Sequence, residues 1–276
     1  LNLFVREAKK MQINAELITE EDSSRLMEFD ALFIRQTTSV RHITFNLAQT
    51  AERADMVVID DPSSIIRCTN KVYLKELLEC SHILAPRSKL LFKTKPSSYA
   101  EVAAELGPTM VIKIPDGSFS IGVSRVNSGE EYEHLLKKLF EHSSILLAQE
   151  YLPTEFDWRV GVLDGDCIFA CKYFMARGHW QIYHHKAGTQ TVSGKVETVP
   201  VHTVPRSVIK MAARAAKTIG KGLYGVDLKL VNDKPVVIEV NDNPSIDHGI
   251  EDAILGNELY RIILREFTRR LNVRRS

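Results

Sequence analysis

The residue types and spacings that most directly suggest chemistry are Asp227, Glu239 and Asn241. An Asn232-Asp233 turn lies between apolar segments 226–231 and 235–240, which makes these two strands antiparallel neighbours. Alternate side chains of a strand share a face, so Glu239 and Asn241 point the same way and Asp227 can sit opposite them. Two carboxylates and an amide oxygen form a hard donor set suited to Mg²⁺, which also keeps waters and phosphate oxygens. A solvated acidic face is the plainer alternative. Against it, these residues interrupt runs that otherwise read Val226, Leu228, Leu230 and Val236, Val237, Ile238, Val240.

Two lysines supply the opposite charge. Lys113 closes an apolar segment and precedes Asp116, Gly117, Ser118, Phe119, Ser120, Ile121 and Gly122. Small residues let backbone N–H groups approach phosphate oxygens while the lysine adds a point charge, although a plain hairpin would read the same. Lys71 follows Asn70 at a helix start, where a cation opposes the helix dipole. The run Ala148-Gln149-Glu150-Tyr151-Leu152 leaves a strand and is followed by Glu155 and Asp157. Such an exit could offer backbone groups to an adenine edge and an acid to a ribose, although any strand-to-loop exit would read the same.

The elements that must position these groups follow from periodicity. Residues 4–11 read as a helix, 15–18, 31–35 and 56–59 as strands, and Ile43, Leu47 and Ala51 give helical spacing. Residues 60–64 break the pattern, and a helix covers 71–80. A second unit has strands 90–92, 110–114, 123–126 and 145–149, a helix at 130–140, and another helix opened by Ser98 with Glu101, a capping box. The third has strands 158–163 and 167–173 around Asp164-Gly165, an irregular polar stretch, helix 206–219, the two strands bearing the acidic set, and a final helix at 253–271.

Charge nearly cancels, 36 Lys+Arg against 35 Asp+Glu, so no global field draws the chain to nucleic acid or an anionic membrane. The basic C-terminal end, Arg265, Arg269, Arg270, Arg274 and Arg275, suits a terminal helix dipole. Cys68, Cys80, Cys167 and Cys171 form no CxxC pair and are expected as buried free thiols in a reducing cytosol. No signal sequence and no apolar run of about 18 residues appears, which points to a cytoplasmic protein. The opening Leu1 and the lack of a first strand suggest a piece of a longer protein.

No single feature decides the matter, but their order does. TNKVYLKELLE (residues 69–79), VIKIPDGSFSIGV (111–123), AQEYLPTEFDWRV (148–160), YGVDLKL (224–230) and VIEVNDNPSIDHGIE (237–251) together resemble the ATP-grasp superfamily, most closely its RimK-like amino-acid ligases, which include glutamate ligases. The resemblance covers residues 31–271. It implies a mixed α/β and α+β chain in which two α+β units clamp ATP: a partial pre-ATP-grasp domain at 1–69, a central subdomain at 70–152 and a C-terminal subdomain at 153–276.

By the same resemblance Lys71 and Lys113 contact nucleotide phosphates, Glu150 and Tyr151 meet adenine, and Asp157 holds the ribose. Ser118, Ser120, Gln149 and His185 complete the nucleotide-binding set. Arg159 and Lys113 face the phosphoryl-transfer centre, while Asp227, Glu239 and Asn241 hold Mg²⁺, with Mn²⁺ as the alternative ion. The sequence departs from relatives at Phe119-Ser120 and Ser245, where glycine is usual, and at Gln181 and Tyr183, where Arg and Asn are usual. The implied reaction joins a carboxylate to an amine or amino-acid acceptor, including a protein or peptide, through an acylphosphate, in an enzyme expected to be a homo-oligomer. A phosphotransferase on the same fold, or a nucleotide-binding module without catalysis, stays open at this point.

If Glu239 is a metal ligand, Glu239→Gln keeps the fold and loses turnover by roughly two or more powers of ten. ADP formation at saturating ATP and Mg²⁺, with thermal unfolding as the control, checks this, and equal turnover removes the metal assignment.

Overall fold

The structure is a computed structural model and describes residues 1–116, 122–185 and 191–275. It opens with α1 (Asn2–Lys10), a 3-10 helix (Glu20–Glu28), β1 (Ala31–Phe33), α2 (Ile43–Arg53) and β2 (Val57–Ile59). β1 and β2 pair in parallel with Ala31 opposite Val57, and Leu32, Phe45, Ala48 and Val58 make their small core.

Two expectations fail here. Residues 15–18 form no strand. Ala15 packs toward the α1 side and Ile18 toward the core under α2, so the segment spans two cores while Leu17 stays exposed. Residues 60–64 are not merely a break: Asp61 caps α3 (Pro62–Thr69), accepting the Ser64 N–H at 3.0 Å, with Pro62 at the first helical position. Asn70 then caps α4 (Lys71–Cys80) by accepting from the N–H groups of Val72 and Tyr73.

The central unit runs β3 (Ser88–Phe92), α5 (Tyr99–Leu106), β4 (Met110–Lys113), β5 (Val123–Val126), α6 (Gly129–Leu139) and β6 (Ile145–Glu150). Its four strands are antiparallel in the order β3-β6-β4-β5. The capping box opening α5 forms, with the Glu101 carboxylate accepting the Ser98 N–H at 2.7 Å. Both helices lie on one face, where Val102, Leu106, Tyr132 and Leu136 meet Leu91, Met110, Ile112 and Leu146. The opposite face carries Val111, Lys113 and Gln149 toward the rest of the molecule.

The last unit contains β7 (Phe156–Leu163), β8 (Asp166–Phe174), β9 (Tyr183–His185), β10 (Thr191–Ser193), β11 (Val196–Val199), α7 (Arg206–Ile219), β12 (Leu223–Val231), β13 (Lys234–Asn241) and α8 (Asn257–Arg275). Both expected turns take the left-handed backbone, Asp164 and Gly165 at φ 48° and 92°, Asn232 and Asp233 at 49° and 62°. The five-stranded sheet has the order β11-β8-β7-β12-β13. The stretch read as irregular therefore contains an edge strand, β11, paired with β8, and the β9–β10 pair.

α7 and α4 cover one face of this sheet through Ala212, Ala215, Ile219, Leu74 and Leu78, against Val160, Val226 and Leu228. The other face is divided along its length. One end, Leu163, Phe169 and Leu223, lies under α1 and α8; the other carries Arg159, Asp227 and Glu239, which line a cleft. The final helix starts at Asn257 rather than 253, because Gly256 takes φ 53° and residues 248–256 form turns. All four cysteines are free thiols, but only Cys68 and Cys171 are buried; Cys167 is half-buried and Cys80 exposed. No helix among the described residues is long and apolar enough to cross a membrane.

Gly161 sits opposite Phe169 in the β7–β8 ladder, and a Cβ there would stand 2.1 Å from the buried Phe169 ring. Gly161→Ala is expected to destabilise the protein by about 1–3 kcal/mol through overpacking, read as a lower thermal midpoint with the cleft residues untouched.

Candidate functional site

A cleft of about 980 Å³ separates the inner face of the four-stranded sheet from the polar end of the five-stranded one. On the five-stranded side the register places Asp227 opposite Arg159 on β7 and opposite Glu239 on β13. Arg159 grips Asp227 with a two-pronged fork, Nε to Oδ1 at 2.7 Å and Nη2 to Oδ2 at 2.8 Å, over the Tyr173 ring. The Asn241 amide donates to Asp227 Oδ2 at 3.3 Å and to the Gly225 carbonyl at 3.4 Å. Gly225 lies opposite Asn241, and a Cβ on it would come within 2.8 Å of Pro244 Cβ. The missing side chain thus lets the loop after β13 fold back on the acidic face.

Across the cleft, Lys113 at the end of β4 donates to Gln149 Oε1 at 2.6 Å, and Gln149 donates to Ser88 Oγ at 3.2 Å. Burial depresses the Lys113 ammonium to about 8; Glu239 pulls it back up, while Lys71 and Lys229 push it further down. Lys71, at the first turn of α4, reaches Glu239 Oε1 at 3.6 Å. Its backbone N–H bonds the Pro115 carbonyl at 3.0 Å, and Asn70 donates to Asp116 at 2.7 Å, so the start of α4 is tied to the loop entry after Lys113.

Asp157 accepts from Lys229 at 2.5 Å and from Thr154 at 2.9 Å; burial pushes its carboxyl up, against the pull of Lys229. Lys229 was missed in the sequence, although its place two residues after Asp227 on one strand puts it on the same face. Glu150 ends β6, with its carboxylate held by the Arg87 backbone N–H at 2.8 Å and by Arg87 Nε at 2.7 Å. Tyr151 meets Trp180 edge-on at 6.0 Å, and Arg125 lies over both rings, at 5.2 and 5.7 Å. Nothing in the sequence pairs Arg87 with Glu150 or Arg125 with Trp180.

Of the residues singled out in the sequence, Lys71, Lys113, Gln149, Glu150, Tyr151 and Asp157 thus line one cleft with Arg159, Asp227, Glu239 and Asn241. Ser118 and Ser120 lie outside the described residues. His185 closes β9, but its side chain also lies outside them.

The N-terminal unit closes the cleft's far end. Arg35 donates to Asn243 Oδ1 at 2.5 Å and to the Pro244 carbonyl at 2.7 Å, anchoring the loop after β13. Burial lowers its guanidinium, while Asp60, Asp247 and Glu251 oppose that. Asp60 is fully enclosed, and burial, reinforced by Asp242, raises it well above the usual carboxylate range. Burial likewise pushes Asp242 up to about 6, against a hydrogen bond from Thr38.

The chemistry of the acidic face fits a hard divalent cation. Among the described residues no three His, Cys, Asp or Glu side chains group to hold a metal ion, but Asp227 and Glu239 give two carboxylates and Asn241 adds an amide oxygen within the same patch.

Comparison with known proteins agrees with this architecture. Residues 84–248 match the family model described as D-ala D-ala ligase C-terminus. The chain is similar to a "Probable alpha-L-glutamate ligase 1" of Shewanella denitrificans, 30% identical over 231 residues, 83% of this chain and 74% of that protein. Among solved structures it resembles the D-alanine–D-alanine ligase of Bacillus anthracis (TM-score 0.75, 18% identity, 99% of this chain and 92% of that one), also solved in complex with ATP (TM-score 0.73, 18% identity, the same coverage). It also resembles a RimK domain ATP-grasp protein of Sphaerobacter thermophilus (TM-score 0.69, 15% identity, 95% and 92%). With a family model matched over more than half its length and 30% identity to a relative of which it covers 74%, the chain has the ATP-grasp fold and belongs to the ligase family of the D-ala D-ala ligase C-terminal domain and the α-L-glutamate ligases.

Proposed function

We infer that the protein is an ATP-dependent carboxylate–amine ligase and propose that the cleft between its two sheets is where the reaction runs. The observation that carries the assignment of the site is the opposition of Lys71 and Lys113 to the Asp227, Glu239 and Asn241 patch across one cavity. That arrangement suits a polyanion bridged to a divalent cation, and the similar ligase from Bacillus anthracis has been solved with ATP. In this reading residues 1–69 close the acceptor end, 70–152 carry the lysine and phosphate loop, and 153–276 carry the metal patch. Lys71, Lys113 and the loop with Ser118 and Ser120 hold the phosphates. The strand exit at Gln149, Glu150 and Tyr151 meets the base, Asp157 the ribose, and His185 lies beside the nucleotide.

The acid substrate's carboxylate oxygen attacks the γ-phosphorus as the bond to the β–γ bridging oxygen breaks, which releases ADP and leaves an acylphosphate. The amine nitrogen then bonds to the acyl carbon, phosphate departs with the broken C–O bond, and one proton is lost. No side-chain nucleophile is needed. Arg159 and Lys113 offset the charge on the transferred group. Asp227, Glu239 and Asn241 would hold Mg²⁺, which when bound supplies further screening of the phosphate charges. The names of the similar Shewanella proteins favour glutamate as one of the joined amino acids.

Incubation with ATP, Mg²⁺ and a mixture of the common amino acids, followed by mass spectrometry, is expected to show ADP together with an amide product. ADP with a stable phosphorylated product would favour the phosphotransferase reading instead.

The depressed Lys113 ammonium gives a pH test. The cation is present at pH values well below 8 and is progressively lost from the unliganded site as pH rises through about 8, so ATP affinity falls from neutral pH to about pH 9.5. Lys113→Arg, protonated throughout, is expected to remove that fall, and Lys113→Ala to weaken binding at every pH. Calorimetry with Mg²⁺ present measures both, and a flat wild-type profile matched by the alanine variant would count against the role of Lys113.

A further inference from the structure

The three lysines that line the cleft are held in different ways. Lys71 faces the Glu239 carboxylate at 3.6 Å and Lys229 faces Asp157 at 2.5 Å, so each has an anion beside it. Lys113 instead donates to a neutral amide, Gln149 Oε1, at 2.6 Å, and makes no ion pair among the described residues. An amide oxygen holds an ammonium in place without cancelling its charge.

What fixes the amide lies one strand further out. Ser88 on β3 stands opposite Gln149 on β6, and Gln149 stands opposite Val111 on β4, two residues before Lys113. Alternate residues share a face, so the three side chains run across the same side of the sheet, toward the cleft. Ser88 has one hydroxyl proton, and it goes to the Pro86 carbonyl at 2.9 Å. Its oxygen is therefore the acceptor of the Gln149 Nε2 bond at 3.2 Å. With its NH2 group turned to Ser88, Gln149 must present Oε1 to Lys113. The flipped amide would set NH2 against an ammonium that has three donors and no acceptor, and would leave Oε1 facing a hydroxyl whose proton is already used. The chain from Lys113 through Gln149 and Ser88 to Pro86 thus runs in one direction, and it ends at a carbonyl. Gln149 is 8% exposed, so little water competes for either end of its amide.

Resting on the reading of Lys113 as a phosphate contact, we propose that Gln149 and Ser88 are positioning residues for Lys113. Their side chains act on ATP through the ammonium and do not themselves bind the nucleotide, which leaves the Gln149 backbone at the strand exit for the base. A lysine stem is flexible, and ordering it when the ligand arrives weakens binding; a stem already ordered avoids that loss. One N–H rests on Gln149, and two remain for phosphate oxygens.

The test is a double-mutant cycle on ATP affinity, measured by calorimetry on the intact chain with Mg²⁺. Gln149→Met removes the acceptor at similar length, and Ser88→Ala releases the far end of the amide. In the wild-type background Gln149→Met is expected to weaken ATP binding roughly ten-fold and Ser88→Ala roughly three-fold, while Ser88→Thr, which keeps the hydroxyl, retains the affinity. In a Lys113→Ala background, where Lys71 still faces the phosphates, neither Gln149→Met nor Ser88→Ala is expected to weaken binding further. A loss as large there as in the wild type overturns the proposal, because the two residues would then support the fold or touch the nucleotide directly; thermal unfolding separates those two. Unchanged affinity in both single variants also overturns it, and a weakened Lys113→Ala protein then leaves the phosphate reading standing. Ser88→Ala, a one-atom change on an edge strand, carries the same cycle if Gln149→Met does not fold. ATP affinity indifferent to Lys113→Ala overturns both the proposal and the phosphate reading.

Discussion

The Arg159–Asp227 pair holds together the part of the molecule where chemistry is possible. Both side chains are more than four-fifths enclosed, and taking two charges out of water is costly unless geometry and hydrogen bonding compensate. Here the compensation comes from a fork of two short bonds across neighbouring strands. Removing one partner would leave a bare buried charge, at a cost of about 3–5 kcal/mol. The pair also fixes what lies around it: Asn241 bonds the same carboxylate, and Glu239 faces it in register. The cleft floor is therefore set by one interaction that the surrounding sheet must accommodate, and Gly225, where a Cβ would stand 2.8 Å from Pro244 Cβ and 3.9 Å from Arg159 Cδ, provides the space.

The face carrying Asp227, Glu239 and Asn241 was legible because strand periodicity and a left-handed Asn-Asp turn are local facts, and a strand two residues per repeat leaves little choice of side. Lys71 at a capped helix start and Lys113 at a strand end were legible for the same reason. Three kinds of feature were not. Asp61 with Pro62 starts a helix of eight residues, too short for periodicity to announce, so its capping signal read as a loop. Residues 15–18 have strand composition but no partner strand, which only the tertiary arrangement decides. The links of Arg35 to Asn243 and Arg87 to Glu150 join residues 208 and 63 positions apart, and no local pattern encodes a contact of that range.

The family likeness and the physical reading carry different parts of the account. Similarity at 15–18% identity to solved ligases establishes how the two sheets are disposed. It says little about the end of the cleft where Arg35, Asp60 and Asp242 meet, because that region depends on particular side chains. There the burial of several carboxylates around one guanidinium is the informative observation.

The lysines of the cleft are already engaged: Lys71 lies against Glu239, and Lys113 against Gln149. In the proposed function an incoming polyanion would enter by exchange, competing with the Glu239 carboxylate for Lys71, instead of settling on bare positive charge. Its net gain is smaller than two lysines would suggest, because part of each attraction replaces one that existed before. On that reading the displaced Glu239 carboxylate would become available at the same moment to a cation arriving with the phosphates. Ionic strength should then act on affinity more weakly than for an open basic groove, since the competing anion is part of the protein and is not diluted.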